Sequence, residues 1–121
     1  MAGIVFLKTN ILEEIVDFYT NEIGAKIWVD QGDCVILKHG NFIFGFCERE
    51  GEITEGWLLT FFYQTKEEVN LMYAKLKHRA ESKPKTSEKY SIYQFYAKDP
   101  EDRPLEFQVF LSDIDFDWKN Y

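Results

Sequence analysis

Glu106 is the residue whose type and position in this sequence point most directly to chemistry. It interrupts an apolar run, since Leu105 and Phe107 flank it in a segment rich in aromatic and branched residues. A carboxylate in such a run faces a functional cleft or is buried beside a partner. In a cleft it could accept a hydrogen bond from a ligand or act as a general base. As a structural group it would pair with Lys8 or hydrogen-bond to Tyr96.

The histidines and cysteines point less directly to a site. His39 is predicted in a turn and His78 near the end of a helix, so both are interpreted as surface residues. Cys34 and Cys47 are predicted to face each other across a hairpin, close enough to touch. A redox switch is one interpretation of this pair, but the sequence favours two buried, reduced thiols.

The composition predicts one soluble globular domain. The chain has 121 residues, of which 45% are hydrophobic and 29% are charged, and its net charge is −7. This charge disfavours nucleic acid and anionic membranes as partners and favours cationic ligands. No segment reaches membrane-spanning length, and the N-terminus lacks the pattern of a signal peptide. A cytoplasmic location is therefore expected.

The elements that must position Glu106 form two similar halves, each predicted as a β-α-β-β-β module. The first module spans about residues 4–48 and the second about residues 57–111. Each predicted helix begins with a capping box, formed by Asn10 with Glu13 and by Thr65 with Glu68. The predicted strands cover residues 4–8, 25–30, 34–38, 42–48, 57–64, a short edge segment within 81–88, 93–98 and 104–111.

The last two strands form a hairpin that carries Glu106. Asp99 and Pro100 suit the first two positions of a type I turn, so residues 99–102 are predicted to connect the strands tightly. Residues 112–121 follow as an acidic and aromatic tail, which is expected to pack on the domain or on a partner.

Two segments resemble the vicinal oxygen chelate superfamily, which includes glyoxalase I, extradiol dioxygenases, fosfomycin-resistance enzymes and bleomycin-resistance proteins. They are the opening Phe6-Leu-Lys-Thr-Asn-Ile-Leu-Glu-Glu-Ile-Val-Asp-Phe-Tyr19, with Asn21–Gly24, and the closing hairpin Phe95–Phe107. The resemblance covers about residues 4–111. It implies an α+β fold whose two modules form a curled mixed sheet around a cleft, with helices outside. The expected organisation is a single domain, residues 1–111, followed by the tail.

The resemblance also directs attention to metal ligands, which the metal-dependent members carry on the first and last strands of each module. The matching positions here are Ile4, Phe44, Leu58 and Glu106, of which only Glu106 could bind a metal. A catalytic metal site normally needs three protein ligands with nitrogen, oxygen or sulfur donors. We therefore expect no metal and no cofactor.

Strand alternation, with its phase taken from Glu106, predicts which side chains line the cleft. The predicted ligand-binding residues are Phe6, Lys8, Phe42, Phe44, Phe46, Leu58, Thr60, Phe62, Gln94, Tyr96, Glu106 and Gln108. Aromatic walls with a few polar groups suit a planar or cationic small molecule. Alternatively, the three phenylalanines of the stripe 42–46 fill the cleft as core.

The favoured hypothesis is a metal-independent small-molecule binding protein, forming a homodimer, that sequesters an aromatic or cationic compound. It is similar in kind to the metal-free bleomycin-resistance proteins. The alternative is an enzyme: a lyase or isomerase with Glu106 as its base, or a metal-dependent glyoxalase-like or dioxygenase-like enzyme. Whether the chain is an enzyme is left open, and Glu106 is the only catalytic candidate. A third hypothesis is an interaction module whose tail, residues 113–121, docks a partner.

Overall fold

The computed structural model of the chain describes residues 1–121, which divide into two compact units. Unit 1 comprises Met1–Gly56 and Tyr121, and unit 2 comprises Trp57–Asn120. Each unit holds one mixed four-stranded sheet and one α-helix in the order β-α-β-β-β, so the predicted α+β class and the two modules are confirmed. No helix in the structure is both long and apolar enough to span a lipid bilayer.

Unit 1 has the strand order β1-β4-β3-β2, in which β1 runs parallel to β4 and the other pairs are antiparallel. Its elements are β1 (Val5–Thr9), α1 (Leu12–Phe18), a π-helical turn (Tyr19–Ile23), β2 (Lys26–Asp30), β3 (Cys34–His39) and β4 (Phe42–Glu48). The helical segment ends at Gly24, whose φ of 92° is in the left-handed region that favours glycine at this position.

The predicted capping box at the start of α1 is wrong. The residue before the helix is Ile11, which makes no side-chain cap. The buried Thr9 hydroxyl instead accepts a hydrogen bond from the Ile11 amide at 3.1 Å. The Leu12 amide lies 3.5 Å from the Glu48 carboxylate. The amides at the start of α1, which have no partner within the helix, are therefore paired both by a nearby residue in sequence and by β4.

Cys34 and Cys47 occupy directly opposite positions on β3 and β4, as predicted. They are joined by a disulfide, with their Cα atoms 4.0 Å apart, so the expectation of two reduced thiols is wrong. The physical reason is register: a closely spaced antiparallel pair brings the two side chains together.

Unit 2 has the corresponding strand order β5-β8-β7-β6, with β5 parallel to β8. Its elements are β5 (Leu59–Tyr63), α2 (Lys66–Leu76), β6 (Lys85–Ser87), β7 (Ile92–Lys98), β8 (Pro104–Phe110) and a 3₁₀ turn (Trp118–Asn120). The capping box of Thr65 and Glu68 is present at the start of α2. As predicted, β6 is short and lies at the sheet edge, since Pro84 precedes it and cannot donate to the ladder.

The turn between β7 and β8 is held by a buried ionic network that the sequence did not reveal. The Asp102 amide donates to the Asp99 carbonyl at 2.9 Å, which closes the predicted turn. The Asp99 carboxylate accepts from the amides of Glu101 and Arg103 at 2.8 and 3.0 Å. The Arg103 guanidinium pairs with Asp99 at 3.0 Å and with Glu101 at 2.9 Å, and its side chain is 2% exposed.

Candidate functional site

The sheet of unit 2 has two chemically different faces. One is apolar and packs against α2, where the ring of Tyr73 lies 5.5 Å from that of Phe95. The same face carries Phe61 and Phe107, whose rings stack at 5.5 Å. The opposite face, which we call the Glu106 face, carries Thr60, Phe62, Gln94, Tyr96, Glu106 and Gln108.

Strand register arranges the Glu106 face in rows. Glu106 on β8 lies opposite Thr60 on β5 and opposite Tyr96 on β7. The next row places Gln108 between Phe62 and Gln94. Because residues two positions apart on a strand share a face, the two rows are neighbours.

Glu106 is 7% exposed and is held by two hydroxyl groups. The Thr60 hydroxyl donates to Glu106 Oε1 at 2.9 Å, and the Tyr96 hydroxyl is hydrogen-bonded to the same carboxylate. Burial raises the pKa of Tyr96 above its ordinary value, and the charge and the hydrogen bond of Glu106 raise it further. Tyr96 is therefore a neutral donor at physiological pH, and Glu106 is fixed as an acceptor on this face.

The two amides beside Glu106 are also buried: Gln94 is 6% exposed and Gln108 is 8% exposed. The oxygen Oε1 of Gln94 is buried and has no hydrogen-bond partner. Buried polar atoms in folded proteins nearly always have a partner, and an unpaired one is costly. Gln94 Oε1 is therefore an unsatisfied acceptor among the buried polar groups of the Glu106 face.

These polar groups form the floor of a cavity of about 440 Å³, a size within the usual range for small-molecule sites, roughly 300–1,000 Å³. The residues around it are Ser87, Tyr90, Ile92, Gln94, Tyr96, Glu106, Gln108 and Phe110. Phe110 lies on the cleft side of β8, as strand alternation from Glu106 predicts, whereas Ser87, Tyr90 and Ile92 were not predicted. Alternation from Gln94 would have reached Ile92, but Tyr90 lies in a loop that no strand pattern covers.

Phe62 lies on the same face but is packed against the C-terminal tail. Its ring is 4.9 Å from that of Phe116 and 5.5 Å from that of Trp118. A smaller cavity of about 260 Å³ lies between these residues and the end of β8. Phe116 and Trp118 of the tail therefore pack on a strand of their own unit. Leu58, another predicted ligand residue, precedes β5 and is exposed.

In unit 1 the predicted phase of β4 is wrong. Phe44 and Phe46 are fully buried, with ring centroids 5.5 and 4.9 Å from that of Tyr19 in the helical segment. Phe42 stacks on Phe44 at 4.6 Å. The three phenylalanines therefore belong to the core under the helix, which was the alternative to a ligand-binding role. The predicted alignment of β4 was shifted by one residue, and such a shift exchanges the two faces of a strand.

The opposite face of unit 1 carries Phe6, Lys8 and Gly45. Phe6 is 49% exposed, and a Cβ atom built on Gly45 would lie 2.8 Å from its ring. Lys8 forms an ion pair with Glu52 at 2.7 Å. Phe6 and Lys8 thus lie on the predicted face of β1. On β4, the residue on this face is Gly45 and not Phe44 as predicted.

The residues do not fit a metal centre of the kind that the resemblance suggests. By strand register, Phe6 and Gly45 in unit 1 correspond to Thr60 and Glu106 in unit 2. This corrects the positions inferred from the sequence, since Gly45 and not Phe44 matches Glu106. Only the unit 2 pair has oxygen donors, and the structure contains no group of three His, Cys, Asp or Glu residues that could hold a metal ion.

His39 lies at the end of β3 and not in a turn. It is half-buried, and burial lowers the pKa of its imidazole. His78 follows the end of α2 and is exposed, as predicted.

No family model matches the sequence, and no curated protein matches it. Solved structures do match over nearly the whole chain. A glyoxalase/bleomycin resistance protein/dioxygenase family enzyme from Burkholderia phytofirmans PsJN is 21% identical, covers 89% of this chain and 97% of its own, and has a TM-score of 0.79. An integron cassette protein from the Halifax Harbour sewage outfall metagenome is 20% identical, with coverages of 91% and 98% and a TM-score of 0.76. A lactoylglutathione lyase from Agrobacterium tumefaciens is 17% identical, with coverages of 90% and 92% and a TM-score of 0.73.

Proposed function

Since this chain has the glyoxalase/bleomycin-resistance fold expected from its resemblance to the vicinal oxygen chelate superfamily, we propose that it binds a small planar or cationic organic molecule without a metal ion. The site is the cavity on the Glu106 face of unit 2. Sequestration of the compound is the function that this site supports best.

The observation that carries the proposal is the buried polar floor of the cavity. Gln94, Glu106 and Gln108 are each at least nine-tenths buried, and they lie side by side on a sheet whose other face is mostly apolar. Polar groups in such positions cost free energy relative to apolar residues of the same shape. Apolar walls with a few convergent polar groups are typical of small-molecule sites.

The walls of the cavity favour a flat or cationic ligand. Tyr90, Tyr96 and Phe110 offer ring faces and edges, which attract aromatic groups and cations. Glu106 is the only charged residue among those around the cavity. A cation that paired with it would also be favoured by the net charge of −7.

A homodimer is part of the same proposal. The edge strand β2 exposes Ile27, Trp28 and Val29 to solvent. Exposed apolar residues on an unpaired edge strand are a common means of association. Native mass spectrometry of the wild type and of Trp28→Lys tests this: a dimer that persists unchanged in the variant would place the interface elsewhere. The cytoplasmic location stays a prediction.

The proposal is tested by screening planar and cationic compounds by thermal shift, alongside native mass spectrometry of the purified protein. A bound ligand raises the unfolding midpoint because it binds only the folded state. We expect hits with the wild type and weaker ones with Glu106→Gln. Glu55→Gln is the matched control, because it makes the same change of charge at an exposed loop position. If no compound shifts the midpoint and none is carried in the native mass, the proposal fails.

A further inference from the structure

We propose that the Glu106 face recognises an amidine-type group: a flat cationic group that presents N–H donors on two adjacent nitrogens and is attached to an aromatic body. This inference rests on the proposed function and names the ligand class of the same site. It follows from the hydrogen-bond acceptors that the face leaves vacant.

The first vacant acceptor is Gln94 Oε1, which is buried and has no partner. The second is Glu106, whose two oxygens together offer about four lone-pair sites. The hydroxyls of Thr60 and Tyr96 use two of these sites. A ligand that brings N–H groups would therefore meet the unused lone pairs of Glu106 and, after a rotation of the Gln94 side chain, the unpaired oxygen of its amide.

The register places these acceptors at a distance that a flat group can span. Gln94 lies opposite Gln108, and Tyr96 lies opposite Glu106, so Gln94 and Glu106 are diagonal neighbours across β7 and β8. Diagonal neighbours have Cα atoms roughly 7–8 Å apart, within reach of long side chains. An amidine-type group directs its N–H bonds outward in one plane, so one nitrogen can donate to each side chain.

The charges around the cavity agree with a cationic group. Glu106 is buried in the floor of the cavity. The negative charge of Glu81 is also felt there, since it contributes to the raised pKa of Tyr96. Two lysines lie nearby, both exposed: Lys85 opposite Gln94 at the sheet edge, and Lys89, whose ammonium is 5.2 Å from the centroid of the Tyr90 ring. Exposed lysines are hydrated and screened by salt, whereas the buried carboxylate is not.

Three probes of similar size separate this inference from simpler explanations. Benzamidine carries the flat donor group on a phenyl ring. Phenyltrimethylammonium has the same charge and ring but no N–H group, and benzoate has the opposite charge. Affinities are measured by NMR titration and calorimetry on the wild type, Gln94→Met, Glu106→Gln and the control Glu55→Gln.

The expected result is that benzamidine binds the wild type at least about tenfold more tightly than phenyltrimethylammonium, because only benzamidine pairs the vacant acceptors. Benzoate should bind more weakly still. Gln94→Met should remove most of the tenfold preference, and Glu106→Gln should weaken benzamidine by about tenfold or more. Glu55→Gln should leave all affinities unchanged.

Gln94→Met also tests whether Gln94 has only a structural role. Methionine fills a similar volume without a polar atom, so removing an unpaired oxygen should leave the thermal midpoint unchanged or raise it. A lowered midpoint with an unchanged benzamidine affinity would show that Gln94 supports the fold and does not contact ligand, which would overturn the inference.

The failure of the inference can be told apart from failure of the proposed function. Equal affinities for benzamidine and phenyltrimethylammonium would overturn donor recognition, while the cavity would remain a site for cations. If other planar compounds bind and benzamidine does not, the inference is overturned but the proposed function is not. If neither the probes nor any compound of the wider screen binds, both proposals are overturned.

Discussion

Replacing Arg103, a buried residue at the turn between β7 and β8, by methionine should strongly destabilise unit 2. The Arg103 side chain is 2% exposed, and its partners Asp99 and Glu101 are 0% and 5% exposed. Methionine keeps much of the volume of the side chain but removes the charge. The two carboxylates would then be buried without their cation.

Breaking a buried ion pair by removing one partner costs about 3–5 kcal/mol, because an uncompensated charge remains buried. Asp99 would still accept two backbone N–H bonds, from Glu101 and Arg103, which offset part of its cost. We therefore expect a loss near the lower limit, about 3 kcal/mol. For a chain of this size that corresponds to a fall of roughly 10 °C in the unfolding midpoint.

The assay is urea unfolding followed by fluorescence and circular dichroism, with Lys98→Met as the control on an exposed residue of the same hairpin. The triple change Arg103→Met, Asp99→Asn and Glu101→Gln should recover part of the loss, because it removes both signs of charge. A loss below about 1 kcal/mol in Arg103→Met would refute the reasoning, since it would show that water reaches the network and solvates the carboxylates.

Three further changes test other parts of the structure. Tyr63→Phe should raise the stability by about 1 kcal/mol near pH 7, because the Tyr63 hydroxyl is buried without a hydrogen-bond partner. Burial also raises the pKa of Tyr63, so wild-type stability is fully present below about pH 10 and falls as the pH rises further. The Tyr63→Phe variant should lose less between about pH 10 and pH 11 in urea unfolding, and a less stable variant at neutral pH would contradict this. Replacing Cys34 and Cys47 by serine opens a disulfide with a sequence separation of 13 residues and should cost about 3 kcal/mol. Alkylation of both thiols in wild-type protein without a reductant would show that the disulfide does not form. Trp118→Ala should cost about 1–2 kcal/mol through lost packing on Phe62; unchanged stability with a lost dimer would instead favour the tail as a docking segment.

The fold and the face of unit 2 were predictable because local signals there agree with one another. The turn at Asp99 fixed the register of β7 against β8, and Glu106 fixed the phase. Thr60, Gln94, Tyr96 and Gln108 then followed by alternation and parallel pairing. The vacancy at Gln94 was not predictable, because whether a buried amide finds a partner depends on side-chain positions that no periodic pattern records.

The face of unit 1 was predicted wrongly because alternation alone cannot distinguish its two sides. On β4, phenylalanines at 42, 44 and 46 alternate with Ile43, Gly45 and Cys47, so both sets are compatible with burial. Aligning Phe44 with Glu106 placed the aromatic set on the ligand side. The contact that decides the matter, the Phe6 ring over Gly45, joins β1 to β4 and is not a local signal.

The two units carry different residues at one matched pair of positions on their parallel strands. This difference explains why the buried carboxylate occurs only in unit 2. In unit 2 the pair is Thr60 and Glu106, joined by a hydrogen bond of 2.9 Å. In unit 1 it is Phe6 and Gly45, where a Cβ would lie 2.8 Å from the ring and 3.3 Å from the Val35 carbonyl oxygen. A carboxylate at position 45 would therefore require the Phe6 ring and the neighbouring backbone to move. Since Gly45 carries no side-chain acceptor and lies against the Phe6 ring, the only carboxylate at these matched positions is Glu106 in unit 2.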